Sequence, residues 1–81
     1  MNNYSYEITG FYYDAEVTIK TNSVNLAIEE FLKFKGEALR GHIIDGFTGE
    51  VLVSFVENTI DYVTELWEYA IKGYCFSKIE D

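Results

Sequence analysis

Apolar and polar residues alternate over the first twenty positions, and the alternation changes parity near Gly10. The apolar positions before the change are Tyr4, Tyr6 and Ile8, and those after it are Tyr13, Ala15, Val17 and Ile19. Because successive side chains of a strand point to opposite faces, a two-residue turn at Gly10 and Phe11 brings both sets onto one face. The pattern predicts a β-hairpin that pairs Ile8 with Tyr13, and its alternative is one bent strand with a bulge at Gly10.

A helical period begins after this segment. Its apolar positions, spaced three or four residues apart, are Val24, Ala27, Ile28, Phe31 and Phe34. At about 100° per residue these side chains fall on one side of a helix. Ser23 and its two predecessors supply N-cap side chains, and Gly36 follows Lys35 as a residue that can end a helix. We therefore predict a helix from Val24 to Lys35.

Two short runs rich in β-branched residues follow, Ala38–Ile44 and Val51–Val56. The segment between them begins with Asp45, which can hold a turn, and contains Gly49, which can adopt a left-handed conformation. A second hairpin is predicted. Both runs are apolar at nearly every position after Gly41, which is typical of central strands.

The last periodic segment follows Asn58, a residue favoured at N-caps. Its apolar positions on one helical side are Ile60, Val63, Leu66, Trp67, Ala70 and Ile71. We predict a helix from Asn58 to Lys72 that is ended by Gly73. Residues 74–81 alternate weakly, and they are predicted to form a short edge strand or a loosely packed tail.

The predicted order is therefore ββαββα. Two apolar helix stripes and one apolar sheet face are commonly buried in an α+β arrangement of two layers. We predict a four-stranded antiparallel sheet with both helices on one face. With 81 residues, no proline and only isolated glycines, the chain is expected to form a single domain, residues 1–81.

Charge restricts the classes of partner. Fourteen acidic residues against six basic ones give a formal net charge of −8. This balance argues against direct binding to nucleic acid or to anionic membranes, and it favours a positively charged protein as the partner. The N-terminal residues have neither a basic nor an apolar signal region, and Cys75 has no second cysteine to pair with, so a cytoplasmic protein is expected.

No catalytic or cofactor motif stands out. The single histidine, His42, lies on a predicted central strand without a recognisable nucleophile beside it, and Cys75 has no CxxC partner. The segment 45–50 lacks the ligand pattern of an EF-hand loop, and no glycine-rich phosphate loop is present. We therefore expect a protein that is not an enzyme and that holds no metal or cofactor.

The acids are arranged in two groups that suggest partner-binding surfaces. On the predicted final helix, an arc of about 80° contains Glu57, Asp61, Glu65 and Glu68, bordered by Tyr62 and Tyr69. On the first hairpin, one face contains Glu7, Asp14, Glu16 and an outward Tyr12. Acids without neighbouring bases and exposed tyrosines are features of an interface. The alternative is a solvated acidic surface that keeps a small protein monomeric.

In length, charge, predicted architecture and lack of catalytic residues, the chain resembles the small acidic inhibitor proteins of bacteriophages. These are the anti-CRISPR and anti-restriction proteins, some of which mimic DNA, and no motif or residue carries over from them. The resemblance implies a stoichiometric inhibitor in the host cytoplasm that occupies the basic nucleic-acid channel of a defence nuclease such as a CRISPR effector. The alternative is a small dimerising or adaptor module that binds through tyrosines or a strand edge without nucleic-acid mimicry.

Overall fold

The computed structural model describes the backbone of residues 4–80 and the side chains of residues 4–75. Its elements are β1 (Tyr6–Phe11), β2 (Glu16–Thr21), α1 (Val24–Glu37), β3 (Arg40–Asp45), β4 (Val51–Val56), β5 (Thr59–Tyr62) and α2 (Glu65–Glu80). The strands form one antiparallel sheet in the order β2-β1-β3-β4-β5. The α+β class is confirmed, but the sheet has five strands where four were predicted.

Both helices pack on the same face of the sheet. The buried core combines strand and helix residues: Ile8, Ile43, Val53 and Phe55 with Ala27, Ile28, Phe31, Phe34, Trp67 and Ile71. The rings of Phe31 and Phe55 meet edge to face with centroids 5.5 Å apart. Tyr6 of β1 makes a similar contact with Trp67 of α2 at 5.4 Å. The predicted apolar stripe of α1 is therefore confirmed, except that Val24 at its first position is exposed.

The first hairpin exists, but its predicted turn and register are wrong. Residues 12–15 form the turn, and Ile8 pairs with Ile19 instead of Tyr13. Gly10 lies inside β1 opposite Val17, and neither a turn nor a bent single strand is present there. The helix packing decides this placement, because the ring of Phe34 fills the space where a side chain of residue 10 would be. Glycine at position 10 allows the Phe34 ring of α1 to approach the backbone of β1 closely, and its conformational freedom in turns is not used there.

The start of α1 is confirmed, whereas its end differs by two residues. Ser23 is the N-cap, and its side-chain oxygen accepts a hydrogen bond from the backbone of Leu26 at 3.1 Å. The helix continues through Gly36 to Glu37, and Ala38 ends it with its N–H bonded to the carbonyl of Phe34 at 2.6 Å. Gly36 is therefore a residue of the last turn and not the stop.

The second hairpin follows the prediction, except that its first strand begins at Arg40 and not at Ala38, which ends α1, and extends to Asp45. The Asp45 side chain accepts hydrogen bonds from the backbone of Phe47 at 2.8 Å and of Thr48 at 3.1 Å. Gly49 has a φ of +80°, the left-handed conformation expected of it. The paired strands β3 and β4 are interior strands of the sheet, as their continuous apolar sequence indicates.

The segment predicted to open the last helix is a strand. Glu57 and Asn58 have φ angles of 50° and 72°, which make a tight turn between β4 and β5. Asparagine suits left-handed turn positions as well as N-caps, so its identity does not separate the two. The α2 helix begins at Glu65, and the Thr64 hydroxyl accepts a hydrogen bond from the backbone of Trp67 at 3.3 Å.

The end of the chain also differs from the prediction. The α2 helix passes through Gly73 and includes residues 74–80, so this part of the predicted edge strand or loose tail is helical. Asp81 lies outside the described residues. Neither described helix has the length and apolar content that a bilayer span requires.

Candidate interaction surfaces

The acidic stripe predicted on the final helix is absent, because half of its residues precede that helix. Glu57 lies in the turn before β5, and Asp61 lies on β5 opposite Ser54. Only Glu65 and Glu68 belong to α2, and Glu68 is neutralised by Lys72, with 2.7 Å between the charged atoms. The four acids therefore do not form one row.

The two tyrosines predicted to border that stripe occupy different environments. Tyr62 lies on β5 and is partly buried against the core, and the ammonium of Lys72 is 5.9 Å from the centre of its ring. Tyr69 lies on α2 with 71% of its surface exposed. The structure therefore leaves Tyr69 available for contact and uses Tyr62 mainly for packing.

The predicted acidic face of the first hairpin is kept only in part, because Glu7 and Glu16 lie on the sheet face away from the helices whereas Asp14 lies in the turn. The predicted register, with Ile8 opposite Tyr13, would place Glu7 opposite the like-charged Asp14, but Glu7 stands opposite Lys20. Asp14 lies in the exposed turn, and Glu16 begins β2 opposite Phe11. The shift of the hairpin turn is the cause, because it moves every cross-strand partner.

Tyr12 is not the outward aromatic that the predicted register required. Its ring meets Phe34 of α1 edge to face at 6.3 Å, and its hydroxyl donates to Glu37 Oε1 at 3.3 Å. Partial burial, followed by the negative charge of Glu37, raises the pKa of Tyr12. The next residue, Tyr13, is 94% exposed, so it is the tyrosine that this turn presents to solvent.

Three connections meet at one end of the sheet. The carbonyl of Phe11 accepts a hydrogen bond from the backbone of Leu39 at 2.9 Å, and the carbonyl of Leu39 accepts one from Glu57 at 3.0 Å. These bonds join the β1–β2 turn, the α1–β3 connection and the β4–β5 turn. The turn-end surface comprises the exposed residues Tyr13, Asp14, Glu16, Glu37, Leu39, Val56 and Glu57.

The turn-end surface contains four carboxylates, and it is bordered by the exposed Arg40, which lies opposite Phe11 and Val56. None of the four forms an ion pair within the part of the chain that the structure describes. Of the twelve acids between residues 7 and 68, two are paired: Glu30 with Lys33 at 3.6 Å and Glu68 with Lys72 at 2.7 Å. Lys35, on the last turn of α1, instead donates to the Asn58 side chain at 2.9 Å. The four carboxylates are therefore held in no direct ion pair among the described residues, and Arg40 is a positive charge at their border.

The sequence predicted part of this surface and missed the rest. Asp14, Glu16 and Glu57 were candidates, although on two separate surfaces, and Tyr12 lies beneath them. The missed residues are Tyr13, Glu37, Leu39 and Val56. The run Tyr12-Tyr13-Asp14 was the available signal, because Asp is common in turns. No local pattern indicates that residues 37–39 would meet this turn.

The sheet face away from the helices carries a second feature, a shallow depression of about 210 Å³. Its lining includes Arg40, whose guanidinium lies 4.4 Å from the centre of the Phe11 ring, and His42, whose ring is 5.5 Å from that of Phe11. Ser54 stands beside His42 on the next strand. Burial and then the positive charge of Arg40 lower the pKa of His42, against a smaller opposite effect of Glu16.

The described residues offer little for metal or thiol chemistry. Among residues 4–75, no three His, Cys, Asp or Glu side chains are grouped to hold a metal ion. Cys75 is a partly buried free thiol on α2. The arrangement thus presents charge, aromatic rings and hydrogen-bond donors for non-covalent contact.

Comparison of the chain with protein-family models, with curated proteins and with solved structures gives no match.

Proposed function

We propose that this protein is a non-enzymatic, stoichiometric inhibitor of a positively charged, nucleic-acid-handling protein, such as a host-defence nuclease, in the cytoplasm. The observation that supports this most is the turn-end surface, where four carboxylates without ion pairs among the described residues lie on or beside the same three connections as the exposed Tyr13 and Leu39. A surface of this kind fits a groove lined by Lys and Arg, which normally binds phosphates.

The charge distribution gives this contact both attraction and orientation. Opposite net charges increase the rate of association, and specific charge pairs fix the register of the partners. Tyr13 and Leu39 add exposed apolar area to the same surface, and aromatic residues in an interface often carry much of the binding energy. The partner is therefore expected to combine a basic groove with an apolar or aromatic contact.

The proposed contact differs from the two surfaces suggested by the sequence. Asp61, Glu65 and Glu68 lie on β5 and at the start of α2, outside the turn-end surface, and Glu68 is already paired. Glu7 lies opposite Lys20. These acids contribute to long-range attraction through the net charge of −8 but are not assigned to the interface.

The experiment is a pulldown from an extract of the native host, followed by competition between this protein and labelled double-stranded DNA for the recovered partner. We expect mutually exclusive binding at one-to-one stoichiometry and a large loss of affinity between about 50 and 500 mM salt, because salt screens exposed charges. Simultaneous binding of DNA and protein, or affinity independent of salt, contradicts the proposal.

A second candidate function is an adaptor or dimerising module, and one observation favours it. Leu66 is 75% exposed at the start of α2, beside the exposed Val63 and one turn before Tyr69. Exposed apolar groups of this kind mark protein contacts when they are contiguous. Sedimentation of the wild type and of Leu66→Ser tests it: a dimer that the substitution dissociates favours this function, and a monomer at every concentration rejects self-association.

A further inference from the structure

The open-face depression collects hydrogen-bond donors that lack partners. The guanidinium of Arg40, the imidazole of His42 and the hydroxyl of Ser54 all line it. Within the described residues, none of these three groups makes a hydrogen bond or an ion pair. Such convergence is notable because the chain as a whole is strongly acidic.

We infer that this depression is a binding subsite for an oxyanion, either a carboxylate or a phosphate group, with Arg40 as the principal donor and His42 and Ser54 as secondary donors. The inference concerns a depression on the sheet face away from the helices, which borders the turn-end surface and shares Val56 with it, and an anionic ligand where the turn-end surface would take a basic partner. It therefore goes beyond the proposed inhibitor function and does not depend on it.

The position of Arg40 suits this role. Its guanidinium rests on the Phe11 ring at 4.4 Å, a cation–π contact that limits its conformations before any ligand arrives. A guanidinium offers two parallel N–H groups to a carboxylate or phosphate, which a lysine ammonium cannot do. Stacking on Phe11 leaves the edge of the guanidinium free for these bonds.

The neighbouring groups determine the strength of the site. His42, with its lowered pKa, is neutral near pH 7 and offers one N–H, while the Ser54 hydroxyl can rotate to donate. The acids on the same sheet face, Glu7 of β1, Glu16 of β2 and Asp61 of β5, oppose an anion. We expect a free ion to bind with a dissociation constant of about 1–10 mM at low ionic strength.

His42 provides a direct probe because it is the only histidine of the chain. NMR signals of its imidazole are followed in the full, untagged protein during titration with inorganic phosphate and, separately, with acetate. Ionic strength is held constant with chloride. Saturable shifts and a rise in the pKa of His42 are expected, since a bound anion stabilises the imidazolium form.

Two variants identify the donor. Arg40→Gln should abolish the saturable shift. Arg40→Lys, which keeps the positive charge but not the two parallel N–H groups of the guanidinium, should weaken binding several-fold. The matched control is Lys20→Gln, which removes one positive charge from the same sheet face outside the depression and should retain binding. Backbone amide spectra verify that each variant is folded.

The two ions distinguish the sources of the ligand. Binding of both supports a general oxyanion subsite that can take an acidic side chain, and binding of phosphate alone supports a phosphate ester. Shifts that do not saturate, that chloride reproduces or that persist in Arg40→Gln overturn the inference. If Arg40→Gln does not fold, an Arg40→Lys variant with unchanged affinity overturns it equally.

Discussion

The ring of Phe34 lies directly against the backbone of Gly10, so that a Cβ atom on residue 10 would be 2.4 Å from Cδ1 of that ring. This contact places α1 on the centre of β1 and fixes Gly10 inside the strand. The hairpin turn must then fall later, at residues 12–15. One missing side chain therefore determines which residues the turn-end surface contains.

Gly10→Ala should destabilise the fold by about 1–3 kcal/mol, because the added methyl group must displace a packed aromatic ring. The matched control is Gly36→Ala, where no atom beyond the neighbouring residues and local backbone of α1 lies within 4 Å of the new Cβ. It should stabilise α1 by about 0.5–1 kcal/mol, since alanine favours a helix over glycine. Denaturant unfolding measures both. A Gly10→Ala protein as stable as the wild type would contradict the packing described.

Substitutions of Glu57 test whether Glu57 and Asn58 form a turn between β4 and β5. Glu57→Asn should raise the free energy of unfolding by about 0.5–1 kcal/mol, because its φ of 50° is left-handed and asparagine tolerates that region better. Glu57→Val should lower it by about 1–2 kcal/mol, since a β-branched residue is strained there. If valine is tolerated and asparagine gives no gain, residue 57 does not adopt this conformation.

Adjacent tyrosines provide a test of the hairpin register. Tyr12→Ala should cost about 1–3 kcal/mol of stability because it removes the ring that packs on Phe34. Tyr13→Ala should change stability by less than about 0.5 kcal/mol, because the side chain is 94% exposed. Thermal or denaturant unfolding of the pair decides: equal effects, or a larger effect at Tyr13, are incompatible with the observed turn.

His42 should make stability depend on pH. Burial and the charge of Arg40 lower its pKa in the folded protein from the ordinary 6.5, so the unfolded chain binds a proton more readily. The stability that this group contributes is complete above pH 6.5 and is lost as pH falls from there through the lower folded pKa. The measurement is the unfolding free energy of the wild type relative to His42→Gln, between about pH 8 and pH 5. This difference in unfolding free energy should become smaller as the pH is lowered. A difference that stays constant or grows as the pH is lowered would contradict the lowered pKa of His42.

The parts of the fold that could be predicted depend on local chemistry. Ser23 caps α1 through a bond to Leu26, and Asp45 holds its turn through bonds to residues two and three positions later. Such interactions involve neighbours in the sequence, so residue type and spacing are enough to indicate them.

The parts that could not be predicted depend on contacts between distant residues. Gly10 is suited to a turn by its conformational freedom, yet Phe34, which is 24 positions later, places it in a strand. Asn58 is equally suited to an N-cap and a left-handed turn, and pairing of Phe55 with Ile60 selects the turn. An error at Asn58 then moves three predicted site residues, Glu57, Asp61 and Tyr62, from the predicted helix to a turn and a strand.

The candidate surface shows the same limit. Acidity and abundant tyrosine are visible in the sequence, but the meeting of three connections depends on the backbone bonds from Leu39 to Phe11 and from Glu57 to Leu39. Residues 11, 39 and 57 have no common sequence pattern. The identity of the exposed tyrosine, Tyr13 and not Tyr12, follows from the register alone.

In the proposed complex the turn-end carboxylates, and not the net charge alone, contact the basic partner. Two triple variants that remove the same charge test this assignment when their binding to the partner recovered by pulldown is compared at about 50 mM salt. The turn-end variant changes Asp14→Asn, Glu16→Gln and Glu57→Gln. The control changes Glu7→Gln, Asp61→Asn and Glu65→Gln, acids that form no ion pair among the described residues and lie outside the turn-end surface.

The turn-end variant should weaken binding by roughly 10- to 100-fold, which corresponds to about 0.5–1 kcal/mol for each charge pair lost. The control should weaken binding by less than about 3-fold, because it changes only the long-range attraction. Equal losses in the two variants, or a larger loss in the control, would contradict the assignment of the contact to the turn-end surface.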